Sequence, residues 1–243
     1  MVILALDTTA PAGSLAVLRG AKVLVERGQP AGVPHGRRLP GEILSALDAA
    51  GVHLPDVELY AVASGPGAFT GLRIGIATIQ GLAFAHDRPV VAVSALEALV
   101  HTVPAGANTR YVAAWMDAAR REVFSALYEA ASGPQALRLI DPPSVDAPGA
   151  TLARWRGIAG GEPIVFVGDG ALRYAAQIET AMRDTAAIVA PAPPLAAVIG
   201  RLGLAGAAAG EAGPPHAVRP LYVRRPDAEL ARERRAEELP DRG

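Results

Sequence analysis

The apolar residues of this chain fall into short runs, separated by turns rich in glycine and proline. In the first half, three closely spaced runs predict strands that form an antiparallel meander, and later apolar positions follow helical spacing. The elements predicted for this half are strands at 2–6, 14–18 and 22–26, a helix from 35 or 40 to 50, a strand at 59–63, a helix at 72–85, a strand at 89–93, and a short helix to 100 capped by Ser94.

The second half repeats this order without visible repetition of the residues themselves. Its predicted elements are strands at 111–116, 122–128 and 136–140, a helix at 149–155, a strand at 164–167, a helix at 171–182, a strand at 187–189, and a helix at 195–209. A repeated order of this kind predicts an α/β protein of two related lobes, each with a mixed sheet. We place the lobes at 1–105 and 106–220, because residues 104–108 break the pattern.

Residues 221–243 form a charged tail. Between residues 219 and 243 there are seven arginines against six acidic residues, so the region is nearly neutral although it looks basic. We interpret it as a solvated chain end, and the alternative is an RNA-binding arm.

The most informative stretch lies between the fourth predicted strand and the helix that follows it. Residues 64–76 read Ser-Gly-Pro-Gly-Ala-Phe-Thr-Gly-Leu-Arg-Ile-Gly-Ile, a glycine-rich turn. Gly65 and Gly67 suit a positive φ, Pro66 stiffens the bend between them, and Thr70 is the expected N-cap. The free amides of the first helical turn would suit an anion. The alternative is that the glycines let the helix and the strand pack closely.

Composition narrows the possible functions. The chain has 243 residues, of which 51% are hydrophobic and 19% charged, with a net charge of −1. It is therefore expected to be globular, with no overall field that attracts nucleic acid or anionic membranes. Absence of cysteine excludes disulfides and thiolate sites. The first residues do not resemble a signal peptide and no run resembles a membrane span, so we expect a cytoplasmic protein.

Several motifs together resemble one family. These are the Asp-Thr-Thr turn at 7–9, the stretch at 64–75, Gln-Gly-Leu-Ala at 80–83, Ser-Ala-Leu-Glu at 94–97, the segment at 117–124 and the segment at 35–40. The chain is similar to the TsaB (YeaZ) family, the accessory subunit of the bacterial machinery that makes threonylcarbamoyladenosine in tRNA. The resemblance implies the actin-like fold of sugar kinases and Hsp70, with two ribonuclease-H-like lobes.

The chain departs from the family pattern at two places. The segment at 117–124 usually reads Asp-Ala-Arg-x-Gly-Glu-Val-Tyr, but Ala119 replaces the arginine and Arg121 replaces the glycine. In the related catalytic subunit, TsaD, two histidines four residues apart bind a metal. Here Leu39 stands four residues after His35, and the other histidines are scattered singly, so we expect no metal site.

The resemblance also implies a degenerate nucleotide site. In active members of the fold, an aspartate after the first strand positions magnesium, and two hairpins hold the phosphates. The corresponding residues here are Asp7, Thr8, Asp117, Gly168 and Gly170. Because both hairpins are poor in glycine, we expect no cofactor, except for nucleotide at this degenerate site or between subunits. Asp7 is then a turn-forming residue, and the alternative is a working ATPase or phosphotransferase that uses it.

We expect no catalytic residues. Ser64 lacks a nucleophile elbow, and the single lysine, Lys22, lies in or beside a predicted strand. The resemblance implies a scaffold that activates a TsaD-like transferase, works with a TsaE-like ATPase, meets tRNA only indirectly, and forms a homodimer when the partner is absent. No membrane partner is expected.

The predicted partner surface is formed by the first two helices. Small residues along the second helix would let a partner helix approach closely. The interface residues that we predict are His35, Leu39, Ile43, Phe69, Leu72, Arg73, Gly75, Ile76 and Ile79. The alternative is that these residues pack inside their own lobe, and for Ile76 the two interpretations are equally balanced.

Overall fold

The computed structural model describes residues 1–28, 32–104, 109–130, 137–190 and 194–224. The strands are β1 (Val2–Asp7), β2 (Ser14–Arg19), β3 (Lys22–Gly28), β4 (Leu59–Gly65), β5 (Val90–Ser94), β6 (Tyr111–Asp117), β7 (Val123–Ala130), β8 (Leu137–Asp146), β9 (Ile164–Val167) and β10 (Ala186–Val189). The helices are α1 (His35–Ala49), α2 (Phe69–Ala85), α3 (Ala95–Val100), α4 (Pro148–Ala159), α5 (Asp169–Arg173), α6 (Ala175–Met182) and α7 (Ala196–Ala208).

The two halves build sheets of the same topology, as the repeated order predicts. The first sheet has the order β3-β2-β1-β4-β5, and the second has β8-β7-β6-β9-β10 when read in the matching direction. In each sheet the first three strands pair antiparallel with one another. The fourth strand pairs parallel with the first, and the fifth pairs parallel with the fourth. The predicted fold, two mixed α/β sheets in two lobes, is therefore confirmed.

Both faces of each sheet are covered. On the first sheet, Leu4 and Leu6 belong to an apolar cluster with α1 and α2, while Ile3 and Ala5 belong to a central cluster that also includes buried residues of the second sheet. A third cluster joins the other face of the second sheet to α4 and α6. Because the inner strands are shielded from water on both faces, they are continuous apolar runs, whereas the edge strands β3 and β8 keep exposed residues.

The last helix of each half contacts the sheet of the other half. Helix α7 packs on β1, β2, β4 and β5, and α3 packs against β6. The first turn of α7 is held by the first lobe, since Ser14 Oγ accepts hydrogen bonds from the amides of Leu195 (3.1 Å) and Ala196 (3.0 Å). In addition, Glu26 Oε1 accepts the amide of Ala197 at 2.8 Å. The last helix of the segment 106–220 thus packs against the first sheet.

Two predicted elements differ from the structure in length or continuity. The helix predicted at 171–182 is divided at Tyr174 into α5 and α6; apolar periodicity runs through the break because both helices bury residues in the same cluster. Strand β8 continues to Asp146 through Pro142 and Pro143, which an edge strand tolerates. The predicted boundary at 105/106 and the tail beyond residue 224 lie outside the described residues. No helix in the described part of the chain has the length and apolar character needed to span a membrane.

Candidate functional site

The glycine-rich turn carries the chain from β4 into α2. Gly65 has φ +116°, as predicted, and the carbonyl of the preceding Ser64 accepts the amide of Leu221 at 2.7 Å. Gly67 has no positive φ, contrary to the prediction, and is needed for space instead. A Cβ at Gly67 would lie 2.5 Å from the Cβ of Thr9.

The predicted N-cap, Thr70, is wrong. Helix α2 begins at Phe69, its N-cap is Ala68, and no side chain caps it, so Thr70 is already its second residue. The amide of Ala68 donates to the carbonyl of Thr9 at 2.8 Å, which fixes the start of the helix on the loop between β1 and β2. This long-range hydrogen bond moves the helix start upstream of the position that capping preference favours.

Two glycines of α2, Gly71 and Gly75, pack against the helix's own lobe. A Cβ at Gly71 would lie 2.2 Å from the carbonyl oxygen of Thr8, and one at Gly75 would lie 2.1 Å from Thr8 Oγ1. The space beside Gly75 is thus occupied by Thr8 of the same lobe. Gly81, by contrast, has no atom within 4 Å of a built Cβ, so it leaves open space on the helix surface.

The predicted interface residues divide into a buried group and an exposed group. The buried group is His35, Leu39, Ile43, Leu72, Gly75, Ile76 and Ile79. On the described chain these residues pack inside the first lobe, as the alternative interpretation held. Phe69 and Arg73 are exposed. Exposed residues also form a stripe along α2 at helical spacing: Thr70, Arg73, Ala77, Gly81 and Phe84.

This stripe ends at a large apolar side chain. Phe84 is 81% exposed, and Leu44 on the neighbouring helix α1 is 60% exposed. Helices α1 and α2 contact each other, and a Cβ on Gly36 of α1 would lie 3.8 Å from Ile74 of α2. The two helices therefore present one continuous outer face, which we call the α1/α2 face.

An aromatic cluster stands at the N-terminal end of this face. Phe69 and Tyr222 stack with their ring centroids 5.2 Å apart, and the guanidinium of Arg73 lies 3.9 Å from the Phe69 centroid. Arg73 Nε also donates to the hydroxyl of Tyr222 at 2.9 Å. The sequence does not predict these contacts of Tyr222, because it places this residue in a solvated tail. The signal was the apolar triplet Leu-Tyr-Val at 221–223, in an otherwise charged segment.

The same C-terminal segment crosses to the second lobe. Arg224 Nη1 donates to the carbonyl of Ala118 at 2.7 Å and its Nη2 forms an ion pair with Glu122. Residues from both lobes and from this segment line a cavity of about 600 Å³. A second cavity of about 430 Å³, lined by Asp7 and Asp169, lies beside it. Together these cavities form the interlobe cleft.

Asp7 lies buried at the end of β1, where the cleft begins. It is 4% exposed, and its Oδ1 accepts the amide (2.9 Å) and the hydroxyl (2.6 Å) of Thr9. Burial raises the pKa of Asp7, and the hydrogen bonds from Thr9 oppose that effect. The carboxylate thus has the hydrogen bonds of a turn-forming aspartate, as the first interpretation of Asp7 expects.

The matching turn in the second lobe is held differently. Asp117 Oδ2 pairs with Arg173 at 2.7 Å, and its Oδ1 accepts the amide of Ala119 at 3.1 Å. Three successive residues without glycine have positive φ: Ala119 at 56°, Arg120 at 50° and Arg121 at 63°. The family pattern has glycine at the position of Arg121, and this backbone conformation is the physical reason, because it favours glycine.

The loop after β9 packs against β6 at the edge of the cleft. A Cβ at Gly168 would lie 2.1 Å from the carbonyl oxygen of Trp115, and one at Gly170 would lie 2.8 Å from the carbonyl carbon of Met116. Asp169 Oδ1 accepts the amides of Asp117 and Gly170, and burial raises its pKa. Both glycines are thus required by strand packing.

These residues do not fit a magnesium-nucleotide site. Asp117 is paired with Arg173, and the Asp7 carboxylate is buried with its Oδ1 bound to the amide and hydroxyl of Thr9. Among the described residues, no group of three or more histidine and acidic side chains is placed to hold a metal.

His35 connects the α1/α2 face to the loop at the cleft. Its Nε2 lies 3.1 Å from the carbonyl of Ala10, and its Nδ1 lies 2.7 Å from Arg38 Nη2. Arg38 also donates to the carbonyl of Ala12 at 2.8 Å. Burial, and then the charge of Arg38, lower the pKa of His35. The neutral imidazole, with its proton on Nε2, satisfies both neighbours.

Two sheets of one topology, with a cleft between them and a final helix that contacts the opposite sheet, define a two-lobed protein of the actin-like fold. A family model described as "TsaD: tRNA N6-adenosine threonylcarbamoyltransferase" matches residues 29–238. The tRNA threonylcarbamoyladenosine biosynthesis protein TsaB of Bacillus subtilis is 30% identical over 240 residues, which cover 94% of this chain and 96% of that protein. The chain belongs to this family, in its TsaB, or YeaZ, group.

Two further relatives agree with this assignment. The TsaB protein of Haemophilus influenzae is 37% identical over 125 residues, 51% of this chain and 52% of that protein, so the match spans about half of the relative's length. A Pseudomonas aeruginosa structure, described as an uncharacterized protein with similarity to peptidase YEAZ, has a TM-score of 0.77 at 32% identity. It covers 92% of this chain and 99% of that chain.

Proposed function

We propose that this chain is a non-catalytic subunit that binds and activates a TsaD-like transferase. That transferase would place threonylcarbamoyl on the adenosine next to the tRNA anticodon, in the cytoplasm. The name of the Bacillus subtilis relative supports the pathway. The observation that carries the proposal is the α1/α2 face, where Phe84 and Leu44 are among the most exposed large apolar side chains of the described residues. Such a surface on a folded protein is typical of a binding site for another protein.

The interface that we propose differs from the one that the sequence indicates. The contact is made by the exposed stripe of α2 together with Leu44, while the buried residues Leu39, Ile43 and Ile76 support the helices from below. Ala77 and Gly81 let a partner helix approach closely in the middle of the stripe. A TsaE-like ATPase joins the assembled pair, tRNA is bound through the partner, and the same face forms a homodimer when the partner is absent.

Co-purification with the TsaD-like protein of the same organism tests this proposal. Ala77→Arg places a long cation in the middle of the face and should abolish the heterodimer on size exclusion. Ala153→Arg is the matched control, because Ala153 is an exposed helical alanine in the second lobe, and it should bind like wild type. Retention of the complex by both variants would refute the α1/α2 face as the interface.

Calorimetric titration of the isolated chain with Mg-ATP tests the non-catalytic assignment separately. We expect no heat of binding, because Asp7 is buried and Asp117 is paired with Arg173. Tight binding that Asp7→Asn removes would favour the ATPase or phosphotransferase alternative instead.

A further inference from the structure

In the described part of the chain, Arg73 is held by aromatic side chains and not by a carboxylate. Arg154, Arg173 and Arg224 each pair with a carboxylate at the surface. Arg73 forms no ion pair within the described ranges, and its hydrogen bond there runs from Nε to the Tyr222 hydroxyl. Its two terminal amino groups are therefore left to donate outward from the start of α2.

This guanidinium is held in place before any partner arrives. It lies against the Phe69 ring, and the Tyr222 ring that stacks on Phe69 has its centroid 5.9 Å away. The segment that carries Tyr222 is anchored on both lobes, by Leu221 N to Ser64 O at 2.7 Å and by Arg224 to Ala118. A planar cation fixed in this way loses little conformational entropy when it binds an anion.

We propose that Arg73, held in place by Phe69 and Tyr222, is the receptor for a carboxylate of the partner subunit. The C-terminal segment 219–224 is therefore part of the partner-binding surface. This inference rests on the proposed function and extends it: it identifies the chemistry that the partner must present at one end of the α1/α2 face. That chemistry is an aspartate or glutamate side chain next to an apolar helix surface.

The composition of the face favours a protein carboxylate over a nucleic acid phosphate. Arg73 is the single basic residue of α2, and the stripe continues from it through Ala77 and Gly81 to Phe84. Binding to a phosphate backbone uses several cations along a track. One cation at the border of a small and apolar stripe matches the polar rim of a protein interface instead.

The test is calorimetric titration of the full chain with the purified TsaD-like partner, at low and at high salt. Loss of a charge-assisted bidentate contact in Arg73→Gln should weaken binding by about tenfold or more and flatten the salt dependence. Arg73→Lys keeps the charge without the planar guanidinium, so its affinity for the partner should lie between those of the wild type and Arg73→Gln. Arg156→Gln, an exposed arginine of α4, is the matched control and should bind like wild type.

Tyr222→Phe separates positioning from direct contact. It keeps the ring stacked on Phe69 but removes the acceptor of the Arg73 Nε hydrogen bond, so we expect about a threefold loss of affinity. In the Arg73→Gln background the same change should have no further effect, since the two residues act as one unit. Independent, additive losses would overturn the role of Tyr222 in holding Arg73.

The outcomes distinguish the inference from the proposed function. If the wild-type chain does not bind the partner, the proposed function itself fails. If the wild type binds and Arg73→Gln binds equally well, the inference is overturned and the proposed function stands. If Arg73→Gln leaves partner affinity unchanged but weakens tRNA binding by the assembled complex, the site takes a phosphate, and the carboxylate assignment is wrong.

Discussion

In each lobe, a glycine at the start of a helix lies almost in contact with the end of that lobe's first strand. A Cβ at Gly71, in the first turn of α2, would lie 2.2 Å from the Thr8 carbonyl oxygen, and a Cβ at Gly168, which precedes α5, would lie 2.1 Å from that of Trp115. The two glycines thus serve the same purpose. The helices that follow differ, because α2 continues for 17 residues, whereas the second lobe has α5 with 5 residues and α6 with 8.

The outer surfaces of the two lobes differ more than their turns do. Phe84 and Leu44 are exposed on the first lobe at 81% and 60%, whereas the most exposed large apolar side chain described in the second half, Leu139 on β8, is 46% exposed. Both lobes thus pack a glycine against the first strand, but among the described helices the most exposed large apolar side chains lie on α1 and α2. Packing glycines indicate the fold, and the exposed stripe is the feature that bears on function.

The largest effect is expected for Gly168→Ala. The new Cβ would overlap the Trp115 carbonyl, and the alanine would have to adopt φ +119°. We therefore expect a loss of about 4 kcal/mol in the free energy of unfolding. Gly157→Ala in α4 is the control, because its Cβ meets no atom within 4 Å, and it should stabilise by about 0.5–1 kcal/mol. Urea unfolding measures both, and equal midpoints would contradict the packing role.

Gly71→Ala should cost slightly less, about 2–3 kcal/mol, because its overlap with Thr8 is similar but its φ is not positive. Gly81→Ala on the same helix is the matched control and should be neutral or stabilising. If both substitutions stabilise, Gly71 does not pack against the loop after β1. A partner-binding role for Gly71 would then be open again.

The two strand-end aspartates should respond in opposite directions. Asp7→Asn removes a buried charge while keeping an oxygen to accept from Thr9, so we expect a gain of about 1 kcal/mol at neutral pH. Asp117→Asn loses the partly exposed pair with Arg173 and should cost about 0–1 kcal/mol. Urea unfolding at pH 7 compares them, and a destabilised Asp7→Asn would show that the ionised carboxylate is needed.

The pH profile of the same experiment gives a further check on Asp7. Because the pKa of Asp7 is raised above 3.8 in the folded chain, the native state keeps its proton longer than the unfolded state does. Stability from this group is therefore greatest at low pH and is lost as pH rises from 3.8 through the folded pKa. Asp7→Asn should lack that decline.

The smallest effect concerns His35, which links the α1/α2 face to the cleft. Its pKa is lowered from 6.5, so its contribution is fully present above pH 6.5 and is lost as pH falls through the folded pKa. Burial also lowers the pKa of His101, so His35→Asn and His101→Asn can be compared as a pair. NMR titration should place both imidazoles below 6.5, and a value for His35 at or above 6.5 would refute the neutral pairing with Arg38.

The inner strands could be predicted from the sequence because both of their faces are buried. Continuous apolar runs such as 59–63 then indicate strands, and the repeated order of the elements predicts two lobes with a mixed sheet in each. Starts of helices and lobe membership depend on contacts distant in sequence. No local sequence pattern indicates the hydrogen bond from the Ala68 amide to the Thr9 carbonyl. The same holds for the hydrogen bonds from the amides of Leu195 and Ala196 to Ser14.

The candidate site was predictable only in outline. Apolar periodicity identified α1 and α2, but Ile43, Ile76 and Ile79 have the same spacing whether they face their own sheet or a partner. Their burial assigns them to the lobe's core. The exposed residues of the stripe are small or singly placed, so they give no periodic signal, and Tyr222 is 149 residues from the Arg73 that it contacts.

The position of α7 has a consequence for synthesis of the chain on the ribosome. One face of the first sheet, including Ile3, Ala16 and Leu18, is covered by a helix that ends at Ala208. As the chain emerges from its N-terminus, this apolar face forms long before its cover is made. A nascent chain that stops before α7 should therefore be prone to aggregation and to binding by chaperones. Completion of the first lobe therefore waits until α7 has been synthesised.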